Sequence, residues 1–347
     1  MLFDAYVFVD WSASTGPGPE RPKPDAIWIG VARAGRPAEA RYLRTRHAAA
    51  AFVHALLSEA LARGERTLVG WDFAFGYPRG FARALGAKGR PWRATWDAIA
   101  ELLEDGPDNR SNRFEVARAL NERAGGGPGP FWGRPLSRAN PAKGRAWHAL
   151  EPTSPGFDPA FTKGDLTLAR LRTCDARLKG VQEAWKLLGV GSVGSQALTG
   201  IPRVRALRWD PVLAKASAVW PFETGFRAKL PARVRIVHVE CWPGLVEAEV
   251  RKRRERIRDA AQVLALCAWA RRLDRRGALA PYLERPEGLA GADLRAALAE
   301  EGWVLGIDGA AIPPRPDRAA SRPSPSRTPP ARGRGSASPH RTRRSPS

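Results

Sequence analysis

Two stretches decide how this 347-residue chain folds: Tyr6-Val7-Phe8-Val9-Asp10 and Leu68-Val69-Gly70-Trp71-Asp72. Each is an unbroken apolar run closed by a carboxylate. Strands buried on both faces of a parallel sheet read this way, and open α/β sheets bind their ligands outside the carboxyl ends of such strands. Two further acids stand at the edges of apolar runs: Glu240, closing Val234-Arg235-Ile236-Val237-His238-Val239, and Asp259, ahead of a helical pattern. Carboxylates delivered in this way can converge on a divalent metal ion.

Working outward, residues 5–9, 26–32 and 40–44 read as three strands of a meander. A helix is expected over 47–63, where Phe52, Val53, Leu56, Leu57 and Leu61 recur at helical spacing before Gly64. The strand 67–72 follows. After Pro78 the texture turns rich in Trp, Gly, Pro and Arg, with helical pieces expected near 93–104, 113–123 and 176–188. Strand signal returns at 234–240, then helical patterning from Gly244 to about Arg272 and an amphipathic piece near 292–300. This order predicts an α/β fold over residues 1–312. Its core is an RNase H-like mixed sheet flanked by helices, with a long, mainly helical insertion, about 80–230, between the fourth and fifth strands.

From Pro313 to Ser347 the chain is almost wholly Pro, Ser, Arg and Gly, a composition that cannot offset its ordering entropy and predicts a disordered tail. Formal charge is +22, and the arginines of that tail leave the body still strongly basic. Such a balance suits a polyanionic partner, nucleic acid above all. It is also what arginine-biased coding produces, since Arg greatly exceeds Lys. Three widely spaced cysteines, Cys174, Cys241 and Cys267, form no C-x-x-C pair and argue against a disulfide framework or zinc cluster. No segment reaches the length of a membrane span, and Asp4 and Asp10 interrupt the N-terminus where a signal peptide is basic and then apolar. A cytoplasmic protein without membrane or disulfide partners is expected.

Asp10, Asp72, Glu240 and Asp259 are the candidate catalytic, metal-ligating residues, with Mg²⁺ or Mn²⁺ as the ion suited to hard oxygen donors. Phosphodiester cleavage by two such ions, roughly 4 Å apart, needs this donor set. Each acid also has a structural reading. Asp10 and Asp72 can close turns, Glu240 can pair with an arginine, and Asp259 with Gln262 resembles a helix cap.

Gly189-Val190-Gly191-Ser192-Val193-Gly194 matches G-x-G-x-x-G, but behind an expected helix rather than a strand, the wrong setting for a dinucleotide site. It reads as a tight turn or as a loop whose N–H groups approach phosphate, with Ser192, Ser195 and Gln196 beside it. The run Arg251-Lys252-Arg253-Arg254-Glu255-Arg256-Ile257-Arg258 places basic charge next to Asp259. Ser12, Arg113, Ser195, Gln196, Arg254 and Arg258 are the candidate substrate contacts, and Phe131, Trp132, Trp147 and Trp242 are candidate stacking surfaces for a single strand.

A series of motifs resembles a known family: Phe8-Val9-Asp10-Trp11-Ser12, Gly70-Trp71-Asp72-Phe73-Ala74-Phe75-Gly76-Tyr77-Pro78-Arg79-Gly80-Phe81, Asn112-Arg113-Phe114, Gly129-Pro130-Phe131-Trp132-Gly133, Val193-Gly194-Ser195-Gln196, Val239-Glu240-Cys241-Trp242-Pro243 and Asp259-Ala260-Ala261-Gln262. The series, spanning about residues 3–308, is similar to the predicted RNase H-like nucleases filed as domain of unknown function 429. The resemblance implies a metal-dependent nuclease. Relatives of this branch often carry cobalamin or molybdopterin cofactor-biosynthesis labels, which the acidic constellation does not support. One departure is Ala74, where such relatives usually have proline.

Three readings therefore stand at this point. The first is a metal-dependent phosphodiester hydrolase. The second is a non-catalytic nucleic-acid-binding protein on the same fold. The third is a nucleotide-binding ATPase or kinase relative, for which Trp11, directly after Asp10, is poorly suited because phosphate cradles need small residues there.

Overall fold

A computed structural model describes residues 1–125, 127–135, 149–157 and 160–307. Strands β1 (Ala5–Asp10), β2 (Ile27–Arg33) and β3 (Glu39–Leu43) form an antiparallel meander. Helix α1 (Arg46–Ala62) leads to β4 (Thr67–Trp71), which pairs parallel to β1. There follow α2 (Phe81–Ala84), α3 (Pro91–Leu102), α4 (Arg113–Gly125), a hairpin of β5 (Ala160–Lys163) and β6 (Leu166–Ala169), and α5 (Val193–Arg208). Then come β7 (Ser217–Val219) and β8 (Ile236–Glu240). Helices α6 (Glu247–Arg251), α7 (Arg258–Arg275), α8 (Ala280–Leu283) and α9 (Gly291–Ala296) run on into a π-helical turn, Ala297–Glu301.

The main sheet has the order β3-β2-β1-β4-β8-β7, antiparallel on the β3 side and parallel from β1 outward. Its two faces divide the core. Val7, Val9, Ile29, Val69 and Trp71 pack under α1, α3, α4 and α5, whereas Tyr6, Phe8, Leu68, Val237 and Val239 pack under α7 and the C-terminal segment. Burial on both sides is why the central strands are apolar without alternation. Among the described residues no helix is long and apolar enough to cross a membrane.

Several elements differ from the sequence expectation. The segment 176–188 is not a helix: only Asp175–Arg177 makes a 3-10 turn, and the helix of this region, α5, begins after the glycine run rather than before it. Gly194, Gly200 and Pro202 mask α5 in the sequence, and burial of most of its residues overrides their poor propensity. The helix expected from Gly244 to Arg272 is broken at 252–257, between α6 and α7, where crowded cations would repel one another along a helix. The short β7 joins the edge of the main sheet, so the insertion after β4 completes the sheet rather than standing apart from it. Trp147 and the tail from Pro313 lie outside the described residues.

Helix α7 decides where the second face of the sheet meets the carboxylates. It lies across β1 and β2, and this approach is possible because residue 30 is glycine. A Cβ on Gly30 would stand 2.7 Å from the Val263 carbonyl oxygen. Both ends of α7 are tied to the sheet. Asp274 accepts from the N–H groups of Leu2 and Phe3 at 2.7 and 2.8 Å and from the Tyr6 hydroxyl at 2.6 Å, and Asp259 accepts from the N–H of Ala26 at 3.4 Å. Gly30→Ala is expected to lower stability by about 1–3 kcal/mol through overpacking. Urea denaturation read by tryptophan fluorescence measures the loss, and an unchanged midpoint would refute this account of the α7 contact.

Candidate functional site

In the β1–β4 ladder Val9 lies opposite Trp71, and the Asp72 N–H donates to the Val9 carbonyl at 2.9 Å. The next residues along, Asp10 and Asp72, therefore emerge side by side and on the same face of neighbouring strands, whose spacing is about 4.8 Å. Both are half-buried. Neither carboxylate accepts a hydrogen bond from any described protein group, although most buried acceptors find one. Burial, then the Asp72 charge, raises the Asp10 carboxyl well above its ordinary range. Burial, then Glu240 and Asp259, pushes Asp72 up to about 8.

Asp259 reaches this neighbourhood from the first turn of α7. It does not make the expected helix cap, because the N-cap position is Ile257 and no side chain caps it. Its carboxyl is raised by burial, against the pull of the Ala26 and Asp25 N–H groups. Asp25, which the sequence reading passed over, is also near, and its charge acts on both Asp10 and Asp259. It precedes β2 in a left-handed conformation, φ 53°, and the antiparallel β1–β2 register brings that start to the end of β1. A Pro-Asp turn ahead of a strand antiparallel to β1 was the signal that could have found it.

Glu240 is not a free ligand. It ends β8, is buried, and is gripped by Arg172 through two bonds, Nη1 to Oε2 at 2.7 Å and Nη2 to Oε1 at 2.6 Å. It also accepts the Phe75 N–H at 3.0 Å. Burial raises its carboxyl and Arg172 opposes that rise; a bidentate fork this short favours the ionised pair. Arg172 binds Asp175 as well, with Nε and Nη2 each at 2.9 Å, and donates to the Glu301 carbonyl at 3.0 Å. The arginine pairing is thus the reading of Glu240 that the structure bears out.

The candidate substrate contacts divide in the same way. The Ser12 hydroxyl lies 3.5 Å from the Asp25 carbonyl oxygen and accepts the Ser14 N–H at 3.3 Å, at the edge of the acidic group. Arg113 is buried and donates to the hydroxyls of Ser195 and Thr15 at 3.1 and 3.3 Å. Burial lowers it to about 10. Ser195 donates in turn to the Leu187 carbonyl at 2.6 Å, so both side chains belong to the framework. Gln196 holds the Trp11 carbonyl at 2.6 Å, and Arg46 holds those of Ser12 and Ser14, which fastens the loop after Asp10 from two sides. Arg254 is exposed, and Arg258, also exposed, pairs with Glu247 at 2.5 Å.

The glycine run is a tight turn into α5, with Gly189 and Gly191 at positive φ. The N–H groups of Val193, Gly194, Ser195 and Gln196 at its end all donate within the chain, to Gly191, Lys186 and twice to Ser192, and so do not face a phosphate. Trp11 fills the core against Trp71 and Phe73, with its Nε1 on the Thr199 hydroxyl, and leaves no small-residue cradle after β1. Phe131 is fully buried, and the Trp132 ring lies under Lys186 with its Nε1 on Glu183. Trp242 lines a cavity of about 350 Å³ together with Asp72, Gln196, Gln182 and Cys241. His238 is a core residue between Ser217 and Trp71, and burial lowers it to about 3.

Among the described residues no group of three or more Asp, Glu, His or Cys is drawn closely enough together to hold one ion. What the site offers is a pair, Asp10 and Asp72, flanked by Asp259 and Asp25. Comparison of the chain with protein-family models, curated proteins and solved structures gives no match, so its chemistry rests on this geometry.

Two outcomes follow. Arg172→Met leaves Glu240 and Asp175 buried without their cation and is expected to cost about 3–5 kcal/mol in urea denaturation; a loss under about 1 kcal/mol would contradict the strut role. For Asp72 the folded carboxyl sits above its ordinary value of 3.8, so the folded state binds more protons than the unfolded one between there and about 8. Stability supplied by the protonated form is lost as pH rises through that window. Thermal melting of wild type against Asp72→Asn across pH 4 to 8 should show the wild type falling relative to the variant, and parallel curves would refute the shift.

Proposed function

We propose that this chain is a metal-dependent phosphodiester hydrolase acting on nucleic acid, on an RNase H-like fold, with Asp10 and Asp72 as its metal-ligating pair. The observation that carries the reading is the pairing itself: two adjacent, half-buried carboxylates at the carboxyl end of a parallel sheet, with no donor among the described residues. Like charges so placed repel unless a proton or a cation sits between them. Mg²⁺ suits such a pair, since it is commonly held by one or two carboxylates and completes its shell with waters and substrate phosphate. A larger protein cage is therefore not needed.

When bound, the ion supplies Lewis acidity and a hydroxide-like water at neutral pH. The protein's own residues do the positioning. Arg46 and Gln196 fix the loop behind Asp10, and the Glu240–Arg172 fork fixes the strand end beside Asp72. Asp259 and Asp25 add negative potential at the pair, which would favour a bound cation. The strand order β3-β2-β1-β4-β8 with a leading meander supports the RNase H-like reading, and the basic 251–258 segment beside Asp259 supports an anionic substrate.

Metal affinity must rise with pH through the Asp72 range, because a ligating carboxylate has to shed its proton. Calorimetric titration with Mn²⁺ should show binding near pH 8 that weakens toward pH 6 and is lost in Asp10→Asn and in Asp72→Asn. Gel assays over single-stranded, double-stranded, hybrid and branched substrates should show Mn²⁺-dependent cleavage, abolished by either substitution and reduced, not abolished, by Asp259→Asn. Cleavage that survives Asp10→Asn, or absence of Mn²⁺ binding at pH 8, would sink the proposal.

A further inference from the structure

The parallel strands have a second functional end. Where they begin, opposite to the carboxylates, a cleft of about 1080 Å³ is lined by Ser217 and Ala218 of β7 and by Arg233 and Val234 ahead of β8. The β7–β8 and β4–β8 registers put this cleft one strand length, about 15 Å, from the carboxyl ends. Its charge is lopsided. Arg90, Lys215, Arg227, Lys229 and Arg233 all line it, all are exposed, and none has an acidic partner among the described ion pairs. The acid in the lining, Glu223, is already committed to Arg208 through bonds of 2.6 and 2.9 Å and to the Val219 N–H at 2.9 Å.

We infer that this cleft binds the phosphodiester backbone of a nucleic-acid strand, at a station separate from the carboxylate pair. One phosphate engages two or three cations, so five unpaired ones in a single concavity call for several phosphates in series. Small-molecule pockets carry only a few polar groups, whereas this cleft, at the upper limit of their size, sets six cationic side chains and one acid around an otherwise mixed wall. The inference shares only its ligand class with the hydrolase reading and survives if that reading fails.

The test keeps the full chain and includes EDTA, so that hydrolysis plays no part. Fluorescence anisotropy with a labelled oligothymidylate compares wild type with the triple variant R227Q/K229Q/R233Q. A second triple, R275Q/R276Q/R285Q, removes the same charge from exposed positions elsewhere. The cleft triple is expected to weaken binding about tenfold or more and to flatten the slope of log affinity on log salt by about two, while the control triple changes affinity less than about threefold. The single reversal Lys229→Glu repeats the measurement with one exposed residue changed and should weaken binding in the same direction. Equal losses in the two triples would reduce the effect to bulk charge and overturn the proposal. Competition by polyglutamate as effective as by unlabelled oligonucleotide would overturn it in favour of an acidic protein partner.

Discussion

Everything at the carboxylate end of this molecule hangs on the parallel ladder between β1 and β4. Because Val9 and Trp71 are partners, the two residues that follow them must share a face and a strand spacing. That juxtaposition is electrostatically unfavourable. The fold nevertheless maintains it with a buried aromatic layer of Trp11, Trp71 and Phe73 on the other face and with α7 seated on Gly30. A charge conflict supported by so much apolar packing, and met by no donor among the described residues, is the feature on which the proposed cation site rests.

The neighbouring acids show how position separates chemistry from architecture. Glu240 stands at the end of the next parallel strand, as Asp72 does, yet it faces Arg172 and becomes a structural anchor for the 172–175 segment and the C-terminal turn. Asp259 divides its carboxylate between backbone N–H groups and the shared acidic field. Identical functional groups within one strand spacing thus serve different ends, set by whether a guanidinium, an amide or solvent meets them.

Much of the sheet was legible in the residues. Strands whose faces are both buried advertise themselves as apolar runs, and the meander, α1, β4 and β8 fall within a residue or two of expectation. Asp10 and Asp72 were readable because they interrupt those runs. What escaped was whatever depends on partners distant in sequence. Nothing around Arg172 distinguishes it from dozens of other arginines, and only folding sets it against Glu240. Helix α5 carries glycines and a proline that speak against a helix, and near-complete burial of its first half confines the polar stripe that usually gives a helix away to Arg203, Arg205 and Arg208. β7, at three residues, is too short to show a period. The interruption between α6 and α7 was hidden by apolar residues that keep helical phase across it.

The adjacency of β4 and β8 has a consequence for synthesis on the ribosome. Leu68 pairs with Val237, and nearly half the chain is translated between them. Until β8 emerges, the outer edge of β4 presents unpaired amides and carbonyls to every other nascent chain, a recognised hazard for aggregation. Contacts so far apart in sequence also slow the search for the native topology. During production the β4 edge is the surface that a holdase chaperone would have to shield.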